Sequence, residues 1–353
     1  MYRLIPIIMI LCCLSCSRQQ KGYVPLWDKG VEQPEVYDLR QIQMSGDLIA
    51  LTISGPETYY EYHGKELGLH FLICKQFAHH LGVRLRMEVC RDTMELNKRL
   101  LSGDADLIAY PLQSDSLTLG WKMAEGKEDL KAAFENWYKP DYKKQLIAQE
   151  QWWLSQPRVH RHVFAPLLNS KTISNYDNLF RKYSRLCGWD WRLIAAQCYQ
   201  ESTFDPQAAS WAGAKGLMQI MPSTADYLHL SRIDILDPEK NIAAACKYIA
   251  ELNNRFSDVK EYQERVKFVL AAYNGGHFHI RDAMRLAERD GLNSKRWNDV
   301  RKYVLKLSDP QYYRDSLVQN GYMRGSETVE YVDQIQLRYQ KYRNVRKKYF
   351  LLI

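Results

Sequence analysis

From Ser174 onward, apolar residues recur three and four positions apart almost without a break, the rhythm of amphipathic helices. One stretch interrupts it: WAGAKGLMQIMPSTA, residues 211–225, carries Gly and Pro where its neighbours carry Leu, Ile and Ala. A half-chain of this kind can bury its stripes only as helix packed on helix around one loop. The helices read ISNYDNLFRKYSRLC and WDWRLIAAQCYQES, divided at Gly188 with Asp190 placed to cap the second. NIAAACKYIAELNNRF, RVKFVLAAYNGG and SETVEYVDQIQLRYQKYRNVRKK follow. In the second helix, Glu201 falls three residues after Cys198 and seven after Ile194, so a carboxylate shares the face that carries apolar groups. Burying a charge without a partner is costly, and such a placement asks for a functional reason.

The front half has a different pattern. LIALTIS reads as a buried strand, GKELGLHFLICKQFAHHLG as an amphipathic helix and VRLRMEV as a half-buried strand. MELNKRLLSG is a short helix ending at Gly103, and DLIAY is a third strand. Strand–helix–strand–helix–strand implies a small parallel sheet with helices on its faces. The fold class is therefore α+β multidomain, with a small α/β lobe ahead of an all-α domain of lysozyme-like size. With 353 residues, two folded units is the natural division. The boundaries fall at 47–140 for the lobe, 141–172 for a helical connector and 173–353 for the helical domain. Residues 16–46, polar and punctuated by Pro25 and Pro34, read as a tether.

The N-terminus, MYRLIPIIMILCCLSC, has one Arg followed by an apolar run too short to span a bilayer, the layout of a secretory signal over residues 1–15. Ser15-Cys16 at its end resembles the bacterial lipoprotein processing site, with Cys16 as the lipidated residue. Cys13 departs from the Leu usual in such boxes. Five cysteines remain beyond the leader, with no CxxC pair, which argues for buried thiols rather than a disulfide framework; a Cys74–Cys90 bridge stays open. His79-His80, His160-x-His162 and His277-x-His279 lack a carboxylate or Cys at ligand spacing, so no metal and no cofactor are expected. The net charge of +8 suits either an anionic partner or a solvated surface. No zinc-finger spacing, RNP-like strand or recognition helix points to nucleic acid.

Four motifs in order give the helical half a specific resemblance. Glu201-Ser202 with Phe204 resembles the ES-x-F of lytic transglycosylases of the soluble-lytic-transglycosylase, goose-lysozyme-like superfamily. Gly216–Pro222 resembles its GLMQ-x-x-P loop, Ala271–Gly276 its AYN-x-G and Glu327–Val332 its ET-x-x-YV. The front half resembles the first lobe of family 3 solute-binding proteins, in its YYEYHGKELGLHF turn, its LGV and its SGDADLIAY. The pairing of the two is most similar to the membrane-bound lytic murein transglycosylase F group. That group carries a two-lobe module, whereas here LQSDSL alone separates the third strand from TLGWKMAEGKEDLKAAFENWYK, so most of a second lobe is missing. A single lobe is a poor solute trap. Tyr59 and Tyr60 would be the contacts if it bound a solute, and sheet-edge aromatics if it did not.

The resemblance implies a carbon–oxygen lyase acting on peptidoglycan strands, held to the membrane by its lipid anchor in a periplasm-facing, outer-membrane location, with a role in wall turnover. Glu201 would be the catalytic acid and then base. A carboxyl enclosed among apolar groups favours its protonated form, which suits donation to a leaving oxygen. No second acid stands beside it in sequence, since Asp205 lies beyond the helix end. Ser202 and Tyr331 would orient the acid or the substrate, Met218 and Gln219 would line sugar subsites, and Tyr273 and Asn274 would bind the sugar flanking the cleaved bond. Plainer roles exist: Tyr273 and Tyr331 as packing aromatics, Ser202 as a helix-end cap, Gly216 as a turn. Two other functions fit the same sequence, a solute-sensing or wall-binding lipoprotein with an inert domain and a muramidase using water. The front lobe is expected to gate access to the cleft.

Overall fold

The computed structural model describes residues 37–112, 119–156 and 172–344. The leader, Cys16 and the His160-x-His162 pair lie outside the described residues. The first element is already folded. Helix α1 (Leu39–Ser45) has Asp38 as N-cap in a capping box with Gln41, and ends at Gly46, whose φ of 78° is left-handed. Asp38 also accepts from the backbone N–H groups of Asp129 and Leu130, so one carboxylate caps two helices. Ile42 is fully buried. The end of the tether expected over 16–46 is therefore helical from Leu39, because Asp38 and Gln41 of YDLRQ form a capping box.

The sheet orders its strands β4–β1–β5–β6, with β1 (Asp47–Ile53), β4 (Arg84–Cys90) and β5 (Leu107–Ile108) parallel and β6 (Lys122–Met123) antiparallel at the edge. β1 is central and buried on both faces, which is why LIALTI is nearly all apolar. Leu48 and Ala50 face α2 (Leu69–Leu81) and α4 (Glu128–Trp137), whereas Leu51 and Ile53 face α3 (Thr93–Leu101). Cys74 and Cys90 belong to these opposite cores and are free thiols, so the bridge between them does not form.

A second element differs from the sequence reading. Residues 60–67, read as a turn running into a helix that begins at Gly64, form a hairpin of β2 (Tyr60–Tyr62) and β3 (Lys65–Leu67). His63 and Gly64 at its tip have φ of 51° and 69°, the two left-handed residues that a tight two-residue turn requires. Helix α5 (Pro140–Ser155) then supplies the connector, starting at a proline in its first turn.

The helical half comprises α6 (Asp177–Cys187), α7 (Trp191–Ser202), α8 (Pro222–Tyr227), α9 (Pro238–Arg255), α10 (Tyr262–Gly275), α11 (His277–Arg289), α12 (Trp297–Lys306), α13 (Pro310–Tyr313) and α14 (Gly325–Asn344). Helix α7, capped by Asp190 as its sequence indicates, packs on α6 and α14, and its Ile194 and Cys198 are fully buried. From Asp38 onward, lobe, connector and helical half form one contact unit. Tyr60 donates to Glu150 of α5 at 3.0 Å and sets its ring edge-on to Tyr322, 5.1 Å between centroids. The Tyr322 N–H donates to Ser54 Oγ at 2.9 Å. Tyr60 is thus a docking residue rather than a sheet-edge aromatic, and Tyr59 packs edge-on to Phe71.

A buried carboxylate fixes the loop on which Tyr322 sits. Asp282, with no exposure, accepts from the backbone N–H groups of Gln319 and Asn320 at 3.0 Å each, from the Asn320 amide and from Arg285. Asp282→Ala would leave those donors facing a void. It is expected to lower unfolding free energy by about 3–5 kcal/mol, read from urea denaturation.

Candidate active site

Glu201 stands one residue before the end of α7, where the chain must leave the helix sharply. Thr203 and Phe204 are both left-handed, with φ of 52° and 66°. Two such non-glycine residues in succession store strain that the surroundings must offset. Phe204 provides an anchor: it is buried and packs edge-on to Tyr199, 5.5 Å between centroids. The aromatic of ES-x-F therefore pins the turn that presents the acid.

The carboxylate is half-buried and lines a groove of about 830 Å³ together with Gln219, Tyr273, Asn274 and Tyr331. Tyr331 of α14, 1% exposed, donates its hydroxyl to Glu201 Oε1 at 2.5 Å. The same hydroxyl accepts from Gln197 Nε2 at 3.1 Å, which makes a chain Gln197–Tyr331–Glu201. Burial, with the Glu201 charge second, pushes the Tyr331 and Tyr273 hydroxyls well above the ordinary tyrosine range, so both remain donors at any physiological pH.

The glycine-marked loop closes one wall. Met218 is fully buried. Its carbonyl accepts from the Tyr273 hydroxyl at 2.8 Å and its N–H donates to Asn241 Oδ1 at 2.8 Å. Asn241 Nδ2 in turn donates to the carbonyls of Ile235 at 2.7 Å and Lys215 at 3.2 Å. Gly216 is required on two grounds. Its φ is 79°, and a Cβ would lie 2.5 Å from Asn241 Nδ2 and 2.7 Å from the Ile235 carbonyl. Gln219, itself left-handed at φ 47°, turns its amide back onto the carbonyls of Ala208 and Gly216. Asn274 accepts from Thr328 Oγ1 at 2.8 Å, which ties α10 to α14 across the groove floor.

The structure thus gathers Glu201, Gln219, Tyr273, Asn274 and Tyr331 on one groove. It places Met218 with its side chain in the core and its backbone behind Tyr273. Ser202 is also buried, its hydroxyl donating to the Cys198 carbonyl at 3.2 Å. Three contributors escaped sequence reasoning. Gln197 stands one helical turn before Glu201 and was findable at that spacing. Asn241 carries no local signal. The third is the front-lobe hairpin, whose Tyr62 and His63 line the same groove.

Residues 178–294 match the family described as Transglycosylase SLT domain. The chain is 32% identical over 238 residues to the membrane-bound lytic murein transglycosylase F of Desulfosudis oleivorans, across 65% of this chain and 50% of that one. It is 38% identical over 182 residues to the protein of that name from Photobacterium profundum, across 52% of this chain and 34% of that one. The chain spans half or less of the length of these curated relatives. Among solved structures, the 70 kDa soluble lytic transglycosylase of Escherichia coli overlaps 64% of this chain and 34% of its own. It does so at 24% identity and a TM-score of 0.34, too loose an overlap to bear on the fold. No helix among the described residues is long and apolar enough to cross a membrane.

Asn241→Leu would keep the volume and strip three hydrogen bonds from the loop beneath Tyr273. The Lys215 carbonyl still accepts from the Ile220 N–H, so the Met218 N–H and the Ile235 carbonyl are left unpaired, and at about 1–3 kcal/mol for each the expected loss is about 2–6 kcal/mol of stability by chemical denaturation.

Proposed function

We propose that this chain is a peptidoglycan lytic transglycosylase that cleaves the β-1,4 bond between N-acetylmuramic acid and N-acetylglucosamine without water, in wall turnover. The observation that carries the reading is the Tyr331–Glu201 hydrogen bond at 2.5 Å, set in a groove with Gln219, Tyr273 and Asn274. One carboxylate of fixed orientation, held by a donor tyrosine, suits a reaction in which a single group gives a proton and then recovers it.

In this reading Glu201 donates its proton to the glycosidic oxygen as the bond from C1 of the muramic acid breaks, and N-acetylglucosamine leaves as an alcohol. The substrate's own N-acetyl oxygen covers the electron-poor C1. The Glu201 carboxylate then removes the proton from the 6-hydroxyl of the same muramic acid, and O6 closes on C1. Glu201 is again an acid, no water is consumed, and the new end is a 1,6-anhydro ring. Closure within one sugar is favoured by proximity. Tyr331 keeps one carboxylate oxygen oriented throughout, and Tyr273 secures the loop wall through the Met218 carbonyl. Glu327, another groove carboxylate, is bonded to Tyr62 and lies 3.5 Å from Arg324, which commits its charge elsewhere.

The name of the relatives, membrane-bound lytic murein transglycosylase F, supports a membrane-bound enzyme, and Ser15-Cys16 supports a lipid anchor through Cys16. On that basis the protein sits in the cell envelope, facing the periplasm from the outer membrane.

Muropeptides released by the full chain are expected to be one water lighter than those from a muramidase, as read by mass spectrometry. Ordinary reducing ends would replace the lyase with a hydrolase, and absence of any release would leave only a binding role. Glu201→Gln retains an acceptor for Tyr331 and is expected to stay within about 1 kcal/mol of wild-type stability. Its turnover should fall by about a hundredfold to ten-thousandfold. Tyr331→Phe removes a charge-assisted hydrogen bond worth about 1.5–3 kcal/mol, so its kcat is expected to drop by about ten- to hundredfold with KM little changed.

A further inference from the structure

Three helices gather cations at the start of α7, where no residue lines the groove. The Asp190 carboxylate caps α7 through the Arg192 N–H, and the Arg192 guanidinium grips it at 3.0 and 2.7 Å. The Tyr339 hydroxyl of α14 donates to the same carboxylate at 3.1 Å, and the Arg343 guanidinium lies 5.7 Å from the Tyr339 ring. On the other flank, the Arg181 guanidinium of α6 stacks 3.8 Å from the Trp191 ring, with Arg185 one turn further along α6.

Asp190 is the one acid in this chain of contacts. Helix α14 has none after Asp333, and none follows through residue 353. Arg185, Lys341 and Arg343 are exposed. Two leucines stand bare beside them, Leu186 next to Arg185 and Leu337 one turn before Lys341, each 50% exposed. The sequence after α14, VRKKYFLLI over 345–353, repeats the mixture of cations and apolar groups. Surfaces that serve solubility alone intersperse both signs. Cations beside exposed leucines and an indole suit a plane of anionic headgroups, where the charges meet phosphate and the apolar groups meet the acyl boundary.

We infer that the face formed by the last turns of α6 and α14 and the first turn of α7 rests on an anionic phospholipid bilayer. The inference rests on the envelope reading above and adds which side of the molecule meets the membrane. A lipid on Cys16 holds the chain near a membrane without setting its orientation; a second contact through this face sets it. Glu201 is eleven residues beyond Asp190 on α7, about 16 Å at helical rise. The groove is therefore held off the lipid surface, on the side from which a glycan strand arrives.

The test is vesicle co-sedimentation of the full mature chain bearing Cys16→Ser, which cannot be acylated. It is expected to sediment with vesicles of equimolar phosphatidylcholine and phosphatidylglycerol but not with phosphatidylcholine alone, and to bind less tightly as salt rises. Adding Lys341→Glu and Arg343→Glu together should weaken that binding by at least about 25-fold, about fivefold for each cation lost. Lys143→Glu with Lys144→Glu, an exposed pair on α5, makes the same change in net charge and is expected to leave the affinity within about twofold. Equal binding to both vesicles, binding to neither, or the same loss in both double variants would overturn the assignment. Peptidoglycan sacculi supply the competing answer. If Lys341→Glu with Arg343→Glu releases the protein from sacculi and leaves vesicle binding unchanged, the face belongs to the wall and the inference fails. Failure leaves the anchor and lyase readings standing, because the assay uses neither the Cys16 thiol nor bond cleavage.

Discussion

A carboxylate near the end of a buried helix survives only if something donates to it, and in this molecule the donor comes from 130 residues away. The Tyr331 hydroxyl on Glu201 draws α14 onto α7, and Gln197, one turn back on the same helix, holds the hydroxyl from the other side. Three side chains on two helices therefore settle both the packing angle of the last helix and the orientation of the acid. The strained exit through Thr203 and Phe204 belongs to the same constraint. The helix has to stop where the carboxylate meets the groove, and aromatic packing around Phe204 offsets the backbone cost.

The loop wall obeys a similar logic at the level of backbone. Its carbonyls and N–H groups lie in a region too buried for water to satisfy all of them, and Asn241 meets three at once. Gly216 is glycine because that amide occupies the space a methyl group would need. Conserving the loop's shape thus depends on a residue of α9 that never faces the groove.

Much of this was legible in the sequence, for physical reasons that can be named. Helical spacing put Glu201 with Ile194 and Cys198, Asp190 announced the start of α7, and an almost unbroken apolar run marked β1 as a buried strand. Chemistry that acts through space was not legible. Nothing around Asn241 distinguishes it from any helix-borne amide, and its partners are up to 26 residues distant. Met218 and Ser202 read as site residues by motif, yet their side chains serve the core, because a motif records position and not direction. The hairpin over 60–67 was hidden by its brevity: three-residue strands give too little alternation to outweigh the helix that follows, although His63-Gly64 is turn chemistry. Helix α1 was lost for the same reason, since seven residues give period-based reasoning almost nothing to count.

The shared acceptor at Glu150 carries one more implication. A single carboxylate oxygen receives both the Tyr60 hydroxyl and the Gly68 N–H, while Tyr60 also presses on Tyr322. Lobe, connector and helical half are therefore mechanically indivisible at that point, and excising any one of them would strip the other two of buried surface and of a satisfied charge. The front lobe is best understood as masonry: its sequence is answerable to the neighbour it supports.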